Sequence, residues 1–447
     1  MSSVDDPHPD PEAATEDKEN TTSRLAAKIG ARVARAHPTA RLDELLASKL
    51  RGNEFGTVLL HGLRQRALQR TFADVRDHAL RTPMLRPSTA DPRRMLAFDQ
   101  LAFGCARAYE ALDLAPVDPL GTAARAGIDP NNVLAAARFA EVAADPAAGL
   151  ALHAACEKRR DTSLAVETLR TCASQRVLRL QPFDVPGYSP HFRLFALATS
   201  ARAPRAADDD ALERRIILEH LTVWCELARR SPSIGFGVAR MRVVLSDTRL
   251  VEAFLRVRAP HIDIAALARS VRATRPSSAD EALRAAGIPK CDILADWHDA
   301  ESLGLPEREL ARARALHDEV TVPLQVRYPQ VIVQYDPMRL QGLRYYRGPL
   351  LQVFFERDDG QELAIGDGGA LSWMQDWLSD RRQRLITSGI GSERFVKVFD
   401  RSIAGERGPG DDFERSAGLE RAAGLERAAG LERAAGLERA EERGKPR

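Results

Sequence analysis

Between Val331 and Phe395 the chain reads as one strand after another and closes on a glycine-marked helix start, an order that restricts the possible fold more than any other feature. Val331-Ile332-Val333-Gln334-Tyr335 is apolar and β-branched. Leu350-Leu351-Gln352-Val353-Phe354-Phe355 runs into Asp358-Asp359-Gly360, a hairpin signal, and then into Glu362-Leu363-Ala364-Ile365. Three denser segments stand out: Gln341-Gly342-Leu343-Arg344-Tyr345-Tyr346, Ile365-Gly366-Asp367-Gly368-Gly369 and Ser388-Gly389-Ile390-Gly391-Ser392-Glu393-Arg394-Phe395. After Gly391 the spacing of Phe395 and Val398 predicts a helical face.

Upstream, Val177-Leu178-Arg179-Leu180 and Phe192 to Leu197 read as strands on either side of a proline-bounded loop. A polar helix is expected from Asp208 to Arg230, with Asp208, Asp209 and Asp210 capping its free amides and complementing its dipole. Met241 to Leu245 reads as a strand and Asp247 to Leu255 as a helix, and helices fill about 262–320. Residues 130–170 read as Ala-rich helices. Leu42, Leu45, Leu46 and Leu50, then Leu59, Leu60, Leu63 and Leu68, give an N-terminal helical region over 23–90, which Pro83, Pro87 and Pro92 interrupt near its end. Residues 1–22 are acidic and Pro-containing, a composition expected to stay disordered. Residues 417–440 repeat Ala-Gly-Leu-Glu-Arg-Ala four times. A six-residue period turns each Leu by about 240° around a helix, so 406–447 is expected to be a low-complexity, disordered tail.

Composition narrows the function classes. The 447 residues carry 65 basic and 63 acidic side chains, which gives no global electrostatic argument for nucleic acid or an anionic membrane. Five Cys are scattered singly, so no zinc site or redox dithiol is signalled and no structural metal is expected. That usage and the non-apolar start point to the cytoplasm. No apolar run is long enough to span a bilayer. Walker, H-E-x-x-H and G-x-S-x-G patterns are missing from the sequence.

Taken in order, the C-terminal segments resemble the end of a class II histidyl-tRNA-synthetase catalytic domain, and the resemblance covers roughly residues 95–400. It implies an α+β fold over 91–405: an antiparallel sheet flanked by helices, with a helical insertion at about 262–320. Tyr109 to Leu120 is similar to motif 1 of that class, the element of its dimer interface, so a homodimer is implied. The strand, loop, strand and helix from Val177 to Arg230 resemble motif 2, whose Arg neutralises the α-phosphate of ATP; Arg179 is the candidate, with Arg193 second. The alternative for Arg179 is a strand-end side chain facing water. Gly391-Ser392-Glu393-Arg394 resembles motif 3, which implies that Arg394, with Glu393 beside it, lies at a nucleotide.

Where the family carries Arg-Gly-Leu-Asp-Tyr-Tyr, this chain has Gln341 for the Arg and Arg344 for the Asp. Losing that cation weakens support for a phosphoanhydride transition state. If the segment is a strand, Arg344 points to the face opposite Gln341. Tyr345 and Tyr346 either line a small-ligand pocket or pack in the core. Gly368 and Gly369 match the family's glycines and allow close backbone approach, whereas the Arg-Tyr-Asp that follows in the family is Ala370-Leu371-Ser372 here. No catalytic residue is assigned. The resemblance implies a non-synthetase paralogue, similar to the regulatory subunit of short-form ATP phosphoribosyltransferase, that binds a catalytic partner protein in amino-acid (histidine) biosynthesis. A tRNA partner is not expected. The alternative is a ligase that uses ATP and Mg²⁺ to form an aminoacyl adenylate for an acceptor other than tRNA.

Overall fold

The computed structural model describes residues 24, 25, 28–38, 44–136, 138–180, 189–205, 208–274, 281, 283, 284, 287 and 305–404. The expected disordered segments 1–22 and 406–447, and most of 275–304 in the expected helical insertion, lie outside the described residues. Among the described helices are, in chain order, α1 (Gly52–Leu68), α2 (Phe72–Arg81), α3 (Pro92–Cys105), α4 (Pro146–Arg160), α5 (Asp209–Arg230), α6 (Thr248–Arg258), α7 (Ile264–Thr274), α8 (Glu307–Leu316), α9 (Trp373–Leu378) and α10 (Ser392–Phe399). The strands are β1 (Glu110–Ala111), β2 (Val117–Pro119), β3 (Ala135–Ala136), β4 (Ala140–Val142), β5 (Leu169–Leu178), β6 (His191–Arg202), β7 (Val238–Asp247), β8 (Val331–Tyr335), β9 (Pro349–Arg357), β10 (Glu362–Leu371) and β11 (Gln383–Ile390).

The chain forms two compact units, residues 1–86, 117–120 and 134–142 in one and the remainder in the other. In the smaller, Thr71 and Asp74 close a reciprocal cap on α2. This unit also holds a three-stranded antiparallel sheet, β2-β4-β3. Residues 130–142 therefore depart from the Ala-rich helices expected there. Alanine has no strong objection to a short ladder, and the helix begins only at Asp145-Pro146, a cap followed by a proline in the first turn.

The larger unit is built on an eight-stranded sheet in the order β1-β5-β6-β11-β10-β9-β7-β8. Its six central strands pair antiparallel, and the two edge strands pair parallel to their neighbours. Alternation along β6 shows how the sheet is covered. Phe195 and Leu197 join an aromatic core with Phe98, Trp224, Phe236, Phe355 and Phe395. Ala196 and Ala198 face the other way and pack with Ala148, Ala151 and Ala155 of α4. Small residues on both partners let α4 lie close to the sheet.

Asp208, Asp209 and Asp210 do not cap α5 as expected; no side-chain cap is formed there. Stronger partners claim them. Asp208 pairs with Arg205, Asp209 with Arg384 of β11, and Asp210 with Arg249 of α6 and Arg312 of α8. Glu213, one turn on, reaches Arg249 at 3.1 Å and Arg384 at 3.3 Å.

Candidate functional site

A cavity of about 340 Å³ opens on the α4 face of the sheet. Its floor comes from β6, β10 and β11, with Ala196, Asp367 and Thr387 on it, and Asp145, Arg179, Tyr345 and Tyr346 form its walls. The strand parity that turned Ala196 toward α4 also turns Asp367, which pairs with Gly389 across the β10–β11 ladder, onto the cavity.

Asp145 is held from two sides. One carboxylate oxygen accepts the Ala147 amide at 2.9 Å as the cap of α4, and the other accepts Arg179 Nη2 at 3.1 Å. Arg179 Nε also donates to the Ala144 carbonyl at 2.9 Å. A helix N-terminus beside a guanidinium is a seat for an anion, and here the chain's own carboxylate sits in it.

Asp367 is exposed on the cavity floor, with protein atoms crowded around its carboxyl. Burial raises its carboxyl pKa, against the opposing pull of Arg339, and Tyr346 donates a hydrogen bond to it. Arg339, 6% exposed, has its guanidinium on Gln352 Oε1, the cross-strand partner of Asp367 on the same sheet face; burial lowers its pKa. Tyr345 and Tyr346 meet edge-to-face at 4.8 Å, and Tyr345 also packs edge-on against Trp373.

Gln341 to Tyr346 is a turn and not a strand, so the alternation argument that set Arg344 opposite Gln341 does not apply. Gly342 takes φ +91° and Arg344 φ +65°, and the Tyr345 and Tyr346 amides both donate to the Gly342 carbonyl. A Cβ on Gly342 would lie 2.7 Å from the Tyr346 ring, so two constraints keep glycine there. Arg344 is exposed, 3.9 Å from Glu252.

Of the residues singled out from the sequence, the cavity gathers Arg179, Tyr345 and Tyr346. Gln341, Arg344, Gly368, Gly369, Glu393 and Arg394 are not in its lining. Gly368 and Gly369 lie within β10, where a Cβ would meet Ser388 at 2.4 Å and the Tyr346 ring at 2.7 Å. What closes on these glycines is protein. Arg193 pairs with Asp99 at 3.2 Å. Glu393 is buried and bonds Ser88 at 2.6 Å, Lys397 at 2.9 Å and Arg176 at 2.9 Å. Arg394 is half-buried on α10, next to Gly391, which does reach the cavity. Sequence reasoning missed Asp145 and Asp367. The Asp-Pro helix start was a readable signal for the first, whereas nothing local marked the second among its glycines.

Among solved structures the chain is similar to three described as histidyl-tRNA-synthetase-like. One is an ATP phosphoribosyltransferase regulatory subunit/histidyl-tRNA synthetase from Bacillus halodurans, with TM-score 0.53 and 14% identity over 71% of this chain and 83% of that one. Another is a histidine–tRNA ligase subunit from Alicyclobacillus acidocaldarius, with TM-score 0.53 and 16% identity over 76% and 99%. The third is the histidyl-tRNA synthetase from Nostoc sp. PCC 7120, with TM-score 0.52 and 12% identity over 73% and 75%. The fold is that of a class II histidyl-tRNA-synthetase-like domain. No protein-family model and no curated protein matches the chain. In this synthetase-like fold the cavity lies on the sheet face covered by α4. No metal-binding cluster of His, Cys, Asp or Glu occurs among the described residues, and no described helix is long and apolar enough to cross a membrane.

Proposed function

We propose that this chain is a non-synthetase paralogue that uses the synthetase-like scaffold as a regulatory, partner-binding subunit with a ligand cavity. The supporting observation is the self-filled anion seat. Adenylate formation needs fixed positive charge free to meet the α-phosphate as charge develops there. Arg179, the sole cation lining the cavity among the described residues, is already bonded to Asp145 and to the Ala144 carbonyl. Asp367 adds a second carboxylate where phosphate oxygens would have to come. Gln341, in place of the cation the resemblance calls for, points the same way. The Bacillus halodurans structure carries a regulatory-subunit description in its name, which makes a catalytic partner of the phosphoribosyltransferase kind the first to test.

The test is ATP–pyrophosphate exchange with Mg²⁺ and each of the proteinogenic amino acids. No exchange above the protein-free background is expected. Exchange with any one of them would establish the ligase reading instead, with Arg179 and Arg394 taking ATP.

A further inference from the structure

We propose that the cavity selects an organic amine that carries neither a carboxylate nor a phosphate. The inference rests on the reading that this site does not form adenylates, and it names the ligand chemistry that site takes. Three observations meet. The position where an anionic group would bind, the N-terminus of α4 beside Arg179, is filled by Asp145 through two bonds of 2.9 and 3.1 Å. An incoming carboxylate or phosphate must evict Asp145 or lie against it, and like charges at that separation repel strongly in a partly desolvated site.

Asp367 supplies the complementary charge. Its carboxylate opens on the cavity, and its counter-cation Arg339 is bonded to Gln352 beside it and absent from the lining. The side facing the cavity is left for a positive group of the ligand. Tyr346 donates to Asp367, so one carboxylate oxygen is already oriented. The second tyrosine provides a wall. The Tyr345 ring lines the cavity and is braced by Tyr346 and Trp373 at 4.8 and 6.2 Å, so it presents a fixed aromatic surface to the ligand. An ammonium held by a carboxylate and an aromatic face is a recurrent means of amine recognition. The volume, about 340 Å³, suits a small metabolite and lies near the lower end of the ~300–1,000 Å³ found for such sites. The apolar Leu194, Ala196 and Ile390 accept the rest of the molecule.

Matched pairs that differ only in the α-carboxylate test this: histamine with histidine, phenethylamine with phenylalanine, and agmatine with arginine. Each is titrated calorimetrically into the full chain in mildly alkaline buffer. At least one amine is expected to bind at least about tenfold more tightly than its amino-acid counterpart. Asp367→Asn is expected to weaken that amine by roughly tenfold or more, while Asp367→Glu, which keeps the charge, retains part of the affinity. The proposal is overturned if the amino acid of each pair binds as tightly as its amine. It also fails if no amine gives heat up to about 10 mM, or if Asp367→Asn binds normally. Pyrophosphate exchange judges the underlying reading separately: exchange can be absent while the amine preference fails, and its presence removes the premise without any titration.

Discussion

Asp145 is the residue on which the chemistry of the cavity turns. It caps α4 and neutralises Arg179 with the same carboxylate. Replacing it by serine separates the two jobs, since a serine oxygen still caps a helix but carries no charge. Asp145→Ser is expected to leave the thermal midpoint nearly unchanged and to give the protein measurable binding of inorganic pyrophosphate, with none expected for the wild type; calorimetry of the two proteins side by side decides. Equal pyrophosphate affinity would show that Asp145 does not hold the seat. At this scale the sequence spoke unevenly. The tyrosine pair and Arg179 could be picked out because side-chain type and motif order both marked them. Asp145 sat in a run of alanines that read as uniform helix, although Asp-Pro before such a run is a start signal. Asp367 became a cavity residue only through its pairing with Gly389, a long-range fact no local window contains.

At the start of α5, elements are tied together by a group of partly buried charges in place of a side-chain cap. Asp209, Asp210, Glu213 and Asp247 face Arg249, Arg312 and Arg384 where the start of α5 meets α6, α8 and β11. Carboxylates outnumber guanidiniums, so one of them is best kept protonated. Glu213 is that one. Burial, with the charges of Asp247 and Asp210 against the pull of Arg249 and Arg384, pushes its carboxyl up from 4.5 to about 7. Between those values the folded chain holds a proton that the unfolded chain releases, so this group makes stability fall as pH rises through the window. Glu213→Gln is expected to flatten that slope. Thermal midpoints of the variant and wild type measured across the same range test it, and parallel curves would contradict the assignment. The misread caps of α5 have the same origin: three aspartates at a helix start announce capping, and only the assembled fold brings the arginines that outcompete the amides.

For the molecule as a whole, strand order was readable where strands are long, apolar and joined by recognisable turns, as from β8 to β11. It was not readable in 130–142, where two- and three-residue strands of mostly small residues carry no period. The short sheet of the smaller unit was therefore largely invisible in the sequence. In the structure Phe55 of α1 meets Phe139 at 5.5 Å, beside the short sheet. A chain beginning at Pro87 is expected to keep amide protection in β5, β6, β9, β10 and β11 but to lose it in β2 to β4, as read by hydrogen exchange. Protection lost equally from both sheets would mean that the two units unfold together.

The carboxylate of Asp145 has a consequence outside the protein. A group fixed to its own binding seat competes at an effective concentration far above that of any dissolved metabolite. Swings in the cellular ATP supply are therefore expected to leave the occupancy of this cleft unmoved, and a protein built this way would respond to its own ligand without following the energy charge of the cell.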